Sequence, residues 1–534
     1  MTLLSIDNLS LSIHGTPILQ DVSMAMEPGK VLGVIGESGS GKSMTANAVM
    51  QLLPGGAEAT GRIELNGSDL MQHSEAQMIG VRGSRIGMVF QEPMSALNPV
   101  QAIGDQVAEG LLLHRDISRI EALDIARETL ARVGLPEERF PLSRFPHELS
   151  GGQRQRVVIA MAIANKPELI IADEPTTALD VTTQAQILEL LKQLVAEDGC
   201  GLILITHDLA VVADMADDLV IMREGQVLET GPTAQVLSDQ SHSYTQLLLA
   251  ASDHTPDQQG RQVDEGDTVL AVQAVSRDYA LPRKHLFAPR GQFRAVNRVS
   301  FEIRRGENLG LVGESGCGKS TLSRALLGLE AVQEGEILFD GEPVLQNGVV
   351  SREMRRKMQV VFQDPYSSFN PRHKVSRLIT EPFHLLANPP EGAARDRAVA
   401  EALDTVNLPA DAAEKYIHEF SGGQRQRIAI ARALINRPEL IILDEAVSAL
   451  DVSIRAQILD LLAELSARHT LSYLFISHDL SVVRNITDRV MVMRAGEIVE
   501  EGATENVFSA PQHPYTRELI AAAPRLPDFQ KAIA

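Results

Sequence analysis

The sequence contains little cysteine and no long apolar run. Only Cys200 and Cys317 occur, far apart, so neither a disulfide framework nor a cysteine-based metal site is expected. No apolar run reaches the roughly 18 residues that a membrane-spanning helix needs. The first residues also lack the basic start of a secretion signal. We therefore expect the protein in the cytoplasm, or at a surface that it reaches through partners.

Positive charge is scarce relative to negative charge. The chain has 49 Lys and Arg against 70 Asp and Glu, a net charge of −21, which speaks against a broad nucleic-acid-binding face. The hydrophobic content of 44% and the charged content of 22% are ordinary for soluble globular proteins. A length of 534 residues is too great for one core, so several domains are expected.

A heptapeptide occurs twice without a single change, as Ser150-Gly-Gly-Gln-Arg-Gln-Arg156 and Ser421-Gly-Gly-Gln-Arg-Gln-Arg427. The copies lie 271 residues apart, and Asp173 and Asp444 are separated by the same distance. A constant offset indicates a duplicated domain. Each copy places its serine and glycines ahead of a segment, beginning at its last arginine, that is predicted to be helical. A glycine-rich turn at a helix N-terminus favours an anion.

The polar stretch 252–267 separates the two copies and is interpreted as a linker. The predicted bounds are 1–255 for the first domain, 256–267 for the linker and 268–534 for the second domain. In each domain short apolar runs alternate with helical patterns, which predicts an α/β fold around a mostly parallel sheet. The strand candidates are 31–35, 169–172, 202–205, 308–312, 440–443 and 474–476.

The pattern becomes helical between Gln91 and Ser150. Gly134 is the predicted C-terminal cap of a helix in this region. The periodicity predicts burial on one helix face in a small helical subdomain of each domain. The residues of these two faces are Leu123, Ala126, Leu130 and Val133 in the first domain and Val399, Leu403 and Val406 in the second.

Two segments fit the pattern G-x-x-x-x-G-K-[ST], namely Gly36-Glu-Ser-Gly-Ser-Gly-Lys-Ser43 and Gly313-Glu-Ser-Gly-Cys-Gly-Lys-Ser320. Each lies between a strand candidate and a helix, as the motif requires. Backbone N–H groups of such a loop can wrap phosphate oxygens, and Lys42 and Lys319 can neutralise the β and γ phosphates. The serine after each lysine can bind Mg²⁺. Cys317 occupies a variable position and is interpreted as a small residue without a redox role.

An Asp-Glu pair follows an apolar run in each domain, at 173–174 and 444–445. Asp173 and Asp444 are predicted to orient Mg²⁺. Glu174 and Glu445 are predicted to polarise the water that attacks the γ-phosphate. This pattern, in register with a phosphate loop in both domains, predicts attack of water on a nucleotide γ-phosphate.

A glutamine and a histidine recur beside these motifs. Gln91 and Gln363 each end a strand-like run and are predicted to sense Mg²⁺ and water. His207 and His478 close two other runs. Because they recur at the 271-residue offset, we interpret them as catalytic rather than structural.

Both halves contain the same motifs in the same order. The order is phosphate loop, glutamine, Ser-Gly-Gly-Gln, Asp-Glu pair, Ala-Leu-Asp (178–180 and 449–451) and histidine. In this order they resemble the nucleotide-binding domain of ABC ATPases. The resemblance covers nearly the whole chain, twice. It implies two tandem P-loop NTPase domains, each with a RecA-like core, an antiparallel β subdomain and a helical subdomain. It also implies a head-to-tail ATP sandwich formed within the chain, in which each ATP lies between the phosphate loop of one domain and the Ser-Gly-Gly-Gln of the other.

The resemblance assigns ATP and Mg²⁺ as cofactors. Tyr279 is the candidate for adenine stacking in the second half, whereas Ile13, beside His14, is its counterpart in the first, so adenine stacking there stays open. Phe420 and Ala446 depart from the family pattern without removing a polar group, and two competent sites are expected. The residues predicted to bind nucleotide are Gly36, Glu37, Ser38, Gly39, Ser40, Gly41, Lys42, Ser43, Gln91, Ser150, Gly151, Gly152, Gln153, Tyr279, Gly313, Glu314, Ser315, Gly316, Cys317, Gly318, Lys319, Ser320, Gln363, Ser421, Gly422, Gly423 and Gln424; the metal set is Ser43, Gln91, Asp173, Ser320, Gln363 and Asp444.

Each half ends with a related tail, at 241–247 and 512–519. These tails, and an Asn-Pro turn after each glutamine, resemble the peptide-importer ATPases. Fusion of two such ATPases in one chain resembles the Yej-type importer of peptides and microcin C. The tails carry no cysteine, so no iron-sulphur cluster is expected.

The resemblance implies an ATP-hydrolysing importer subunit that couples ATP to uptake of peptides or peptide-like compounds. It implies two integral-membrane permease subunits as partners, a substrate-binding protein indirectly, no nucleic acid, and a peripheral location at the cytoplasmic face of the bacterial inner membrane. Twin sugar-importer ATPases and twin-ABC proteins of the ribosome are the alternatives. The ribosomal proteins typically carry a long basic linker, and twin-ABC DNA-repair proteins carry zinc cysteines, neither of which this sequence has.

Overall fold

The computed structural model describes residues 2–177, 179–257, 267–281, 283, 290–364, 368–448 and 450–527. Residues 258–266 of the predicted linker lie outside these ranges, as do Ala178 and Ala449 of the two Ala-Leu-Asp motifs. The chain divides into two compact units, one of residues 1–179, 183–252 and 524–534 and one of residues 180–182 and 253–523. The domain bounds at 255 and 268 stay a prediction.

The first half contains two sheets and the helices that accompany them. Its strands are β1 (Leu4–Ile13), β2 (Thr16–Met26), β3 (Val31–Ile35), β4 (Ala57–Leu65), β5 (Ser68–Asp69), β6 (Ile86–Val89), β7 (Leu169–Asp173), β8 (Gly201–Thr206), β9 (Asp218–Arg223) and β10 (Gln226–Pro232). Its helices are α1 (Lys42–Val49), α2 (Glu75–Ile79), α3 (Pro93–Ala96), α4 (Ile103–His114), α5 (Arg119–Arg132), α6 (Gly151–Ile163), α7 (Val181–Asp198), α8 (Leu209–Met215), α9 (Thr233–Asp239) and α10 (Ser243–Ser252).

A six-stranded sheet forms the centre of this half, in the order β10-β9-β3-β8-β7-β6. Its strands pair in parallel except for β10, which runs antiparallel to β9. Strands β3, β7 and β8 are buried along their whole length, as expected for central strands of a parallel sheet. The smaller sheet, β2-β1-β4-β5, is antiparallel. The predicted strands 31–35, 169–172 and 202–205 are observed.

The second half repeats this arrangement. Its strands are β11 (Thr268–Ala280), β12 (Gln292–Arg304), β13 (Asn308–Val312), β14 (Glu334–Phe339), β15 (Glu342–Pro343), β16 (Met358–Val361), β17 (Leu440–Asp444), β18 (Ser472–Ile476), β19 (Arg489–Arg494) and β20 (Glu497–Ala503). Its helices are α11 (Lys319–Leu326), α12 (Arg352–Lys357), α13 (Val375–Ile379), α14 (Gly392–Thr405), α15 (Gly422–Leu434), α16 (Val452–His469), α17 (Leu480–Ile486), α18 (Thr504–Ser509) and α19 (Pro514–Ala522). The sheets run β12-β11-β14-β15 and β16-β17-β18-β13-β19-β20, so the predicted α/β class with tandem domains is confirmed.

The segment after each glutamine is helical, as predicted. In α5 the side chains of Ala126 and Leu130 are buried, and Gly134 ends the helix with φ of +82°. In α14, Val399 and Leu403 are buried in the same way. Each helix therefore packs one apolar face into the core of its own half. Of the helices in the described ranges, none combines the length and the apolar character needed to cross a bilayer.

Parallel pairing brings the predicted catalytic positions of each half to one edge of its sheet. In the first half the phosphate loop follows β3, Glu174 follows β7 and His207 follows β8. The carboxyl ends of parallel strands meet at the same edge, which is where ligands bind in open α/β sheets. Sequence positions more than 100 residues apart thus become neighbours.

Replacing Gly33 by alanine should destabilise the first half. An added Cβ on this β3 residue would lie 2.6 Å from Cγ1 of Val212 on α8. We expect a loss of about 1–3 kcal/mol, which is the usual result of overpacking a core. Gly110 on α4 is the matched control, because its added Cβ meets only Nδ2 of Asn165, at 3.8 Å. There alanine should add about 0.5–1 kcal/mol. Thermal unfolding midpoints test both, and an unchanged midpoint for Gly33→Ala would contradict the packing.

Candidate active sites

The phosphate loop of the first half joins the end of β3 to the start of α1. An added Cβ on Gly36 would lie 2.1 Å from the carbonyl oxygen of Met222 on β9. Gly41 has φ of +100° and directly precedes Lys42, the first residue of α1. The close approach and the left-handed backbone both require glycine. The loop therefore has the strand and helix context that the motif needs.

The lysine of each loop is buried and is bound by the loop itself. Lys42 and Lys319 are 6% and 5% exposed. In both halves Nζ donates to the carbonyl oxygens of the first two loop residues, at 2.7 and 2.9 Å. A buried ammonium group at the N-terminus of a helix is a strong binding point for phosphate oxygens.

A serine and an aspartate lie together beside the first loop. Oγ of Ser43 donates to Oδ1 of Asp173 at 3.0 Å. Burial is the main cause that raises the pKa of Asp173, and burial also raises the pKa of Asp444. Ser320, the counterpart of Ser43, is exposed. A hydroxyl beside a buried carboxylate fits the oxygen ligands that Mg²⁺ prefers, and a divalent cation would keep that carboxylate ionised.

Glu174 is the centre of a polar cluster at the end of β7. Its Oε2 accepts hydrogen bonds from Nε2 of Gln91 at 3.0 Å and from Oγ1 of Thr177 at 2.9 Å. Its Oε1 lies 3.4 Å from Nδ1 of His207. Three predicted site residues are thus in contact, together with Thr177, which sequence reasoning missed. The available signal was the hydroxyl three residues after the glutamate in both halves, since Ser448 is the counterpart of Thr177.

The carboxyl group of Glu174 is charged at neutral pH. Burial raises its pKa, but the hydrogen bond and the charge of His207, the hydroxyl of Thr177 and the charge of Lys42 outweigh burial and lower the pKa to about 2. Such a carboxylate accepts a hydrogen bond from water readily but is a weak base. Its chemistry at this site is therefore to orient and polarise water.

Among the described residues of the second half, the corresponding glutamate has a histidine contact and a different hydroxyl arrangement. Oε2 of Glu445 lies 3.5 Å from Nδ1 of His478. Burial opposes the shift, but the hydrogen bond and charge of His478 lower the pKa of Glu445. Ser448 donates to the backbone oxygen of Glu445 at 2.8 Å, where Thr177 donates to the carboxylate of the first site. Gln363 is exposed. The structure therefore brings glutamate and histidine together in both halves, with different hydroxyl partners.

Both glutamates have a left-handed backbone, with φ of +46° for Glu174 and +52° for Glu445. This conformation costs a residue other than glycine about 1–3 kcal/mol. The neighbouring strand holds it in place, because the N–H of Glu174 donates to Ile205 on β8 at 2.9 Å and the N–H of Glu445 donates to Ile476 on β18 at 2.8 Å. Strained residues of this kind cluster at functional sites.

The repeated heptapeptide forms a helix start in both halves. Helices α6 and α15 begin at Gly151 and Gly422, so the prediction that they begin at the last arginine is wrong. The N–H of Ser150 donates to Oε1 of Gln153 at 3.0 Å, and the N–H of Gln153 donates to Oγ of Ser150 at 3.4 Å. Ser421 and Gln424 repeat this capping box. The box draws the glycines into the first turn, because it satisfies helix-terminal N–H groups.

The two glycines of each copy differ in their surroundings. An added Cβ on Gly152 would lie 2.3 Å from Cγ2 of Thr183, and one on Gly423 would lie 2.3 Å from Cγ2 of Ile454. The nearest atom to a Cβ on Gly151 lies at 3.7 Å. Packing therefore explains the second glycine and leaves the first to another cause, such as the approach of a ligand.

The adenine-binding candidates lie at strand ends. Tyr279 is near the end of β11, its hydroxyl donates to Oε2 of Glu330 at 2.6 Å, and the guanidinium of Arg277 lies 4.8 Å from its ring centroid. Ile13 ends β1, and His14 follows it in a turn with φ of +50°. Adenine stacking by Tyr279 stays a prediction.

The other residues predicted to bind nucleotide lie on the same loops. Cys317 is buried, and burial raises the pKa of its thiol, which fits the interpretation as a small residue without a redox role. The remaining positions are Ser38, Gly39 and Ser40 in the first loop and Ser315, Gly316 and Gly318 in the second.

The fold and these two sets of residues define a tandem P-loop ATPase. A family model described as "ABC transporter" matches residues 19–177 and again residues 296–448. A second model, described as "Oligopeptide/dipeptide transporter, C-terminal region", matches residues 499–533. The chain belongs to the ABC transporter family of ATP-binding proteins, as the order of its motifs predicted. ATP-binding proteins of this family bind and hydrolyse ATP.

The curated relatives are similar over almost their whole length. The glutathione import ATP-binding protein GsiA of Salmonella paratyphi A is 46% identical, with 98% of this chain and 89% of the relative covered. The proteins of the same name from Escherichia coli O6:H1 and Shigella sonnei are 45% identical with the same coverage. These matches favour the peptide-importer prediction over the sugar-importer and ribosome alternatives.

Two solved structures are each similar to less than half of the chain. The structure of cbiO1 from Clostridium perfringens, part of the ABC transporter complex cbiONQ, is 27% identical, covers 47% of this chain and 94% of its own, and has a TM-score of 0.40. The dimeric structure of a bacterial ABC transporter cassette is 32% identical, covers 43% of this chain and 98% of its own, and has a TM-score of 0.39.

Alanine at the two glycines of the heptapeptide should separate packing from ligand binding. Gly152→Ala should lower the unfolding midpoint, because its Cβ meets Thr183. Gly151→Ala should leave the midpoint unchanged or raise it, since alanine is the better helix former. If Gly151 lies against bound nucleotide, this variant should nevertheless lose ATPase activity. Thermal unfolding and phosphate release measure the two effects, and a Gly151→Ala variant with full activity would contradict the ligand role.

Proposed function

We propose that this protein couples ATP hydrolysis to the uptake of small peptides through two integral-membrane permease subunits. The observation that carries the proposal is the pairing of a full set of ATPase residues in each half with a peptide-transporter C-terminal region at 499–533. We further propose that residues 1–255 and 268–534 act as the two nucleotide-binding domains.

The substrate class follows from two independent supports. The tails resemble those of peptide importers, and the relatives at 45–46% identity carry the name glutathione import. Glutathione is a tripeptide, so both supports agree on small peptides and peptide-like compounds. The resemblance to the Yej-type importer of peptides and microcin C lies within the same class.

In this proposal the residues of the first half have separate roles in binding phosphate, water and metal. Lys42 neutralises the β and γ phosphates, and the loop N–H groups hold their oxygens. Glu174 orients the attacking water, and His207 holds the glutamate charged and in place. Ser43, Gln91 and Asp173 would hold Mg²⁺, which neutralises charge on the phosphates when it is bound. Lys319, Glu445 and His478 act in the same way in the second half, with Ser320, Gln363 and Asp444 as its Mg²⁺ set.

Each site is completed, in this proposal, by the heptapeptide of the other half. Ser421, Gly422 and Gly423 would serve the ATP of Lys42. Ser150, Gly151 and Gly152 would serve that of Lys319. The support is the family order of motifs together with the capping boxes, which fix both serines at helix N-termini where an anion is stabilised.

The helical segment after Gln91 offers a surface for the permease subunits. Met94, Val100, Leu113 and Ile120 are exposed there, and Val100 is 82% exposed. We propose that these apolar side chains contribute to the permease contact. We propose a peripheral location at the cytoplasmic face of the bacterial inner membrane, with a substrate-binding protein as an indirect partner.

Replacing Glu174 and Glu445 together by glutamine should abolish turnover and leave ATP binding intact. Glutamine keeps the shape of the side chain but loses the charge that orients water, so a loss of roughly 100-fold or more in the ATPase rate is expected. Glu189→Gln on the exposed face of α7 is the matched control and should keep the wild-type rate. Phosphate release and nucleotide binding are the measurements, and normal turnover in the double variant would overturn the assignment.

Uptake of radiolabelled peptides tests the function itself. A strain that lacks this protein should lose uptake of small peptides, with glutathione and a dipeptide as probes, and the wild-type chain should restore it. The Glu174→Gln and Glu445→Gln double variant serves as the transport-dead control. Unchanged uptake of both probes in the deletion strain, or loss of sugar uptake instead, would contradict the proposal.

A further inference from the structure

The tail of each half is anchored to the sheet by a network of hydrogen bonds around one glutamate. Glu229 on β10 accepts hydrogen bonds from the N–H groups of Ser241 and His242, at 3.1 and 3.3 Å, and from Oγ1 of Thr245 at 2.5 Å. Nδ1 of His242 accepts the N–H of Tyr244 at 3.0 Å. The carboxylate thus satisfies N–H groups just ahead of α10 and fixes the tail in one position.

The second half builds the same anchor. Glu500 on β20 accepts the N–H groups of Gln512 and His513 at 2.7 and 2.9 Å. Nδ1 of His513 accepts the N–H of Tyr515 at 3.2 Å. The glutamate, histidine and tyrosine all recur at the 271-residue offset that relates the ATPase motifs.

The tyrosine of each tail reaches the phosphate loop of its own half. Tyr244 and Tyr515 are only 2% and 1% exposed. The hydroxyl of Tyr244 accepts the N–H of Glu37 at 3.2 Å, and that of Tyr515 accepts the N–H of Glu314 at 3.1 Å. Burial raises the pKa of Tyr515, so its hydroxyl stays neutral.

The peptide group whose N–H donates this hydrogen bond also binds the lysine, through its carbonyl oxygen. The Gly36–Glu37 peptide has its oxygen bound by Nζ of Lys42 at 2.7 Å and its N–H bound by Tyr244. In a planar trans peptide these groups point in opposite directions, so the two bonds fix the plane from both sides. A glycine allows such a plane to rotate, and rotation would turn the carbonyl away from the lysine.

An arginine of the same half lies near the ring of each tyrosine. The guanidinium of Arg223, next to Met222 on β9, lies 4.9 Å from the ring centroid of Tyr244. Arg494 lies 4.8 Å from that of Tyr515. Tyr244 packs with Ile35, the residue before the phosphate loop, in one apolar cluster. The hydroxyl is therefore presented to the loop by a side chain with little freedom.

We propose that Tyr244 and Tyr515 are positioning residues for ATP binding, by which the tail of each half fixes the phosphate-loop peptide that orients the lysine of that half. The inference rests on the two nucleotide sites proposed above. It gives the tail motif a role in the ATPase reaction.

Tyr→Phe variants of the full-length chain test the proposal. Tyr244→Phe and Tyr515→Phe together should raise the KM for ATP by about two- to tenfold, the effect of one lost hydrogen bond per site, with a smaller change in kcat. Tyr473→Phe is the matched control. It removes a buried tyrosine hydroxyl that donates to the oxygen of Leu462 at 3.1 Å, away from the loop. The control should lower the unfolding midpoint and leave KM unchanged.

A single-site background shows whether each tyrosine acts on its own loop. In Lys319→Ala one nucleotide should bind per chain, and Tyr244→Phe should weaken its binding two- to tenfold while Tyr515→Phe should not. An unchanged affinity with Tyr244→Phe, an equal effect of both tyrosines, or a KM increase in Tyr473→Phe would overturn the inference alone. Two nucleotides per chain in Lys319→Ala would overturn the proposed sites and the inference with them.

Discussion

The buried ammonium groups of Lys42 and Lys319 impose the constraint on which both sites depend. Each must be satisfied by backbone carbonyl oxygens of its own loop, because an unpaired charge in the interior is costly. Two successive peptide planes of the loop are fixed by this requirement. The glycines, the strand that precedes the loop and the tail tyrosine all help to keep these carbonyl oxygens directed at the lysine.

Both halves bind the buried lysine in the same way, but the hydrogen-bond partners of their catalytic glutamates differ. In the first half the carboxylate is bound by an amide and a hydroxyl, whereas in the second the hydroxyl of Ser448 bonds to the backbone. The histidine contact is common to both. A duplicated domain has therefore kept the glutamate–histidine contact and varied the groups around it.

The sequence predicted the parts of the site that are tied to strand ends. A buried apolar run followed by Asp173 and Glu174 can be placed from the sequence alone, since parallel strands bring their carboxyl ends together. The predicted start of α6 at Arg156 is wrong, because the Ser150–Gln153 capping box extends the helix back over two glycines that are otherwise typical of a turn. The contact between Tyr244 and Glu37 joins residues 207 positions apart, and local pattern carries no information about such a pairing.

The left-handed backbone at Glu174 and Glu445 also affects which substitutions evolution would favour at these two positions. Fold stability alone would favour glycine or asparagine at both positions, since these residues adopt positive φ with little or no strain. A glutamate there lowers the stability of its half by on the order of 1 kcal/mol. Mutational drift toward a more stable chain would thus lead away from hydrolysis, and selection for ATP turnover must hold both glutamates in place.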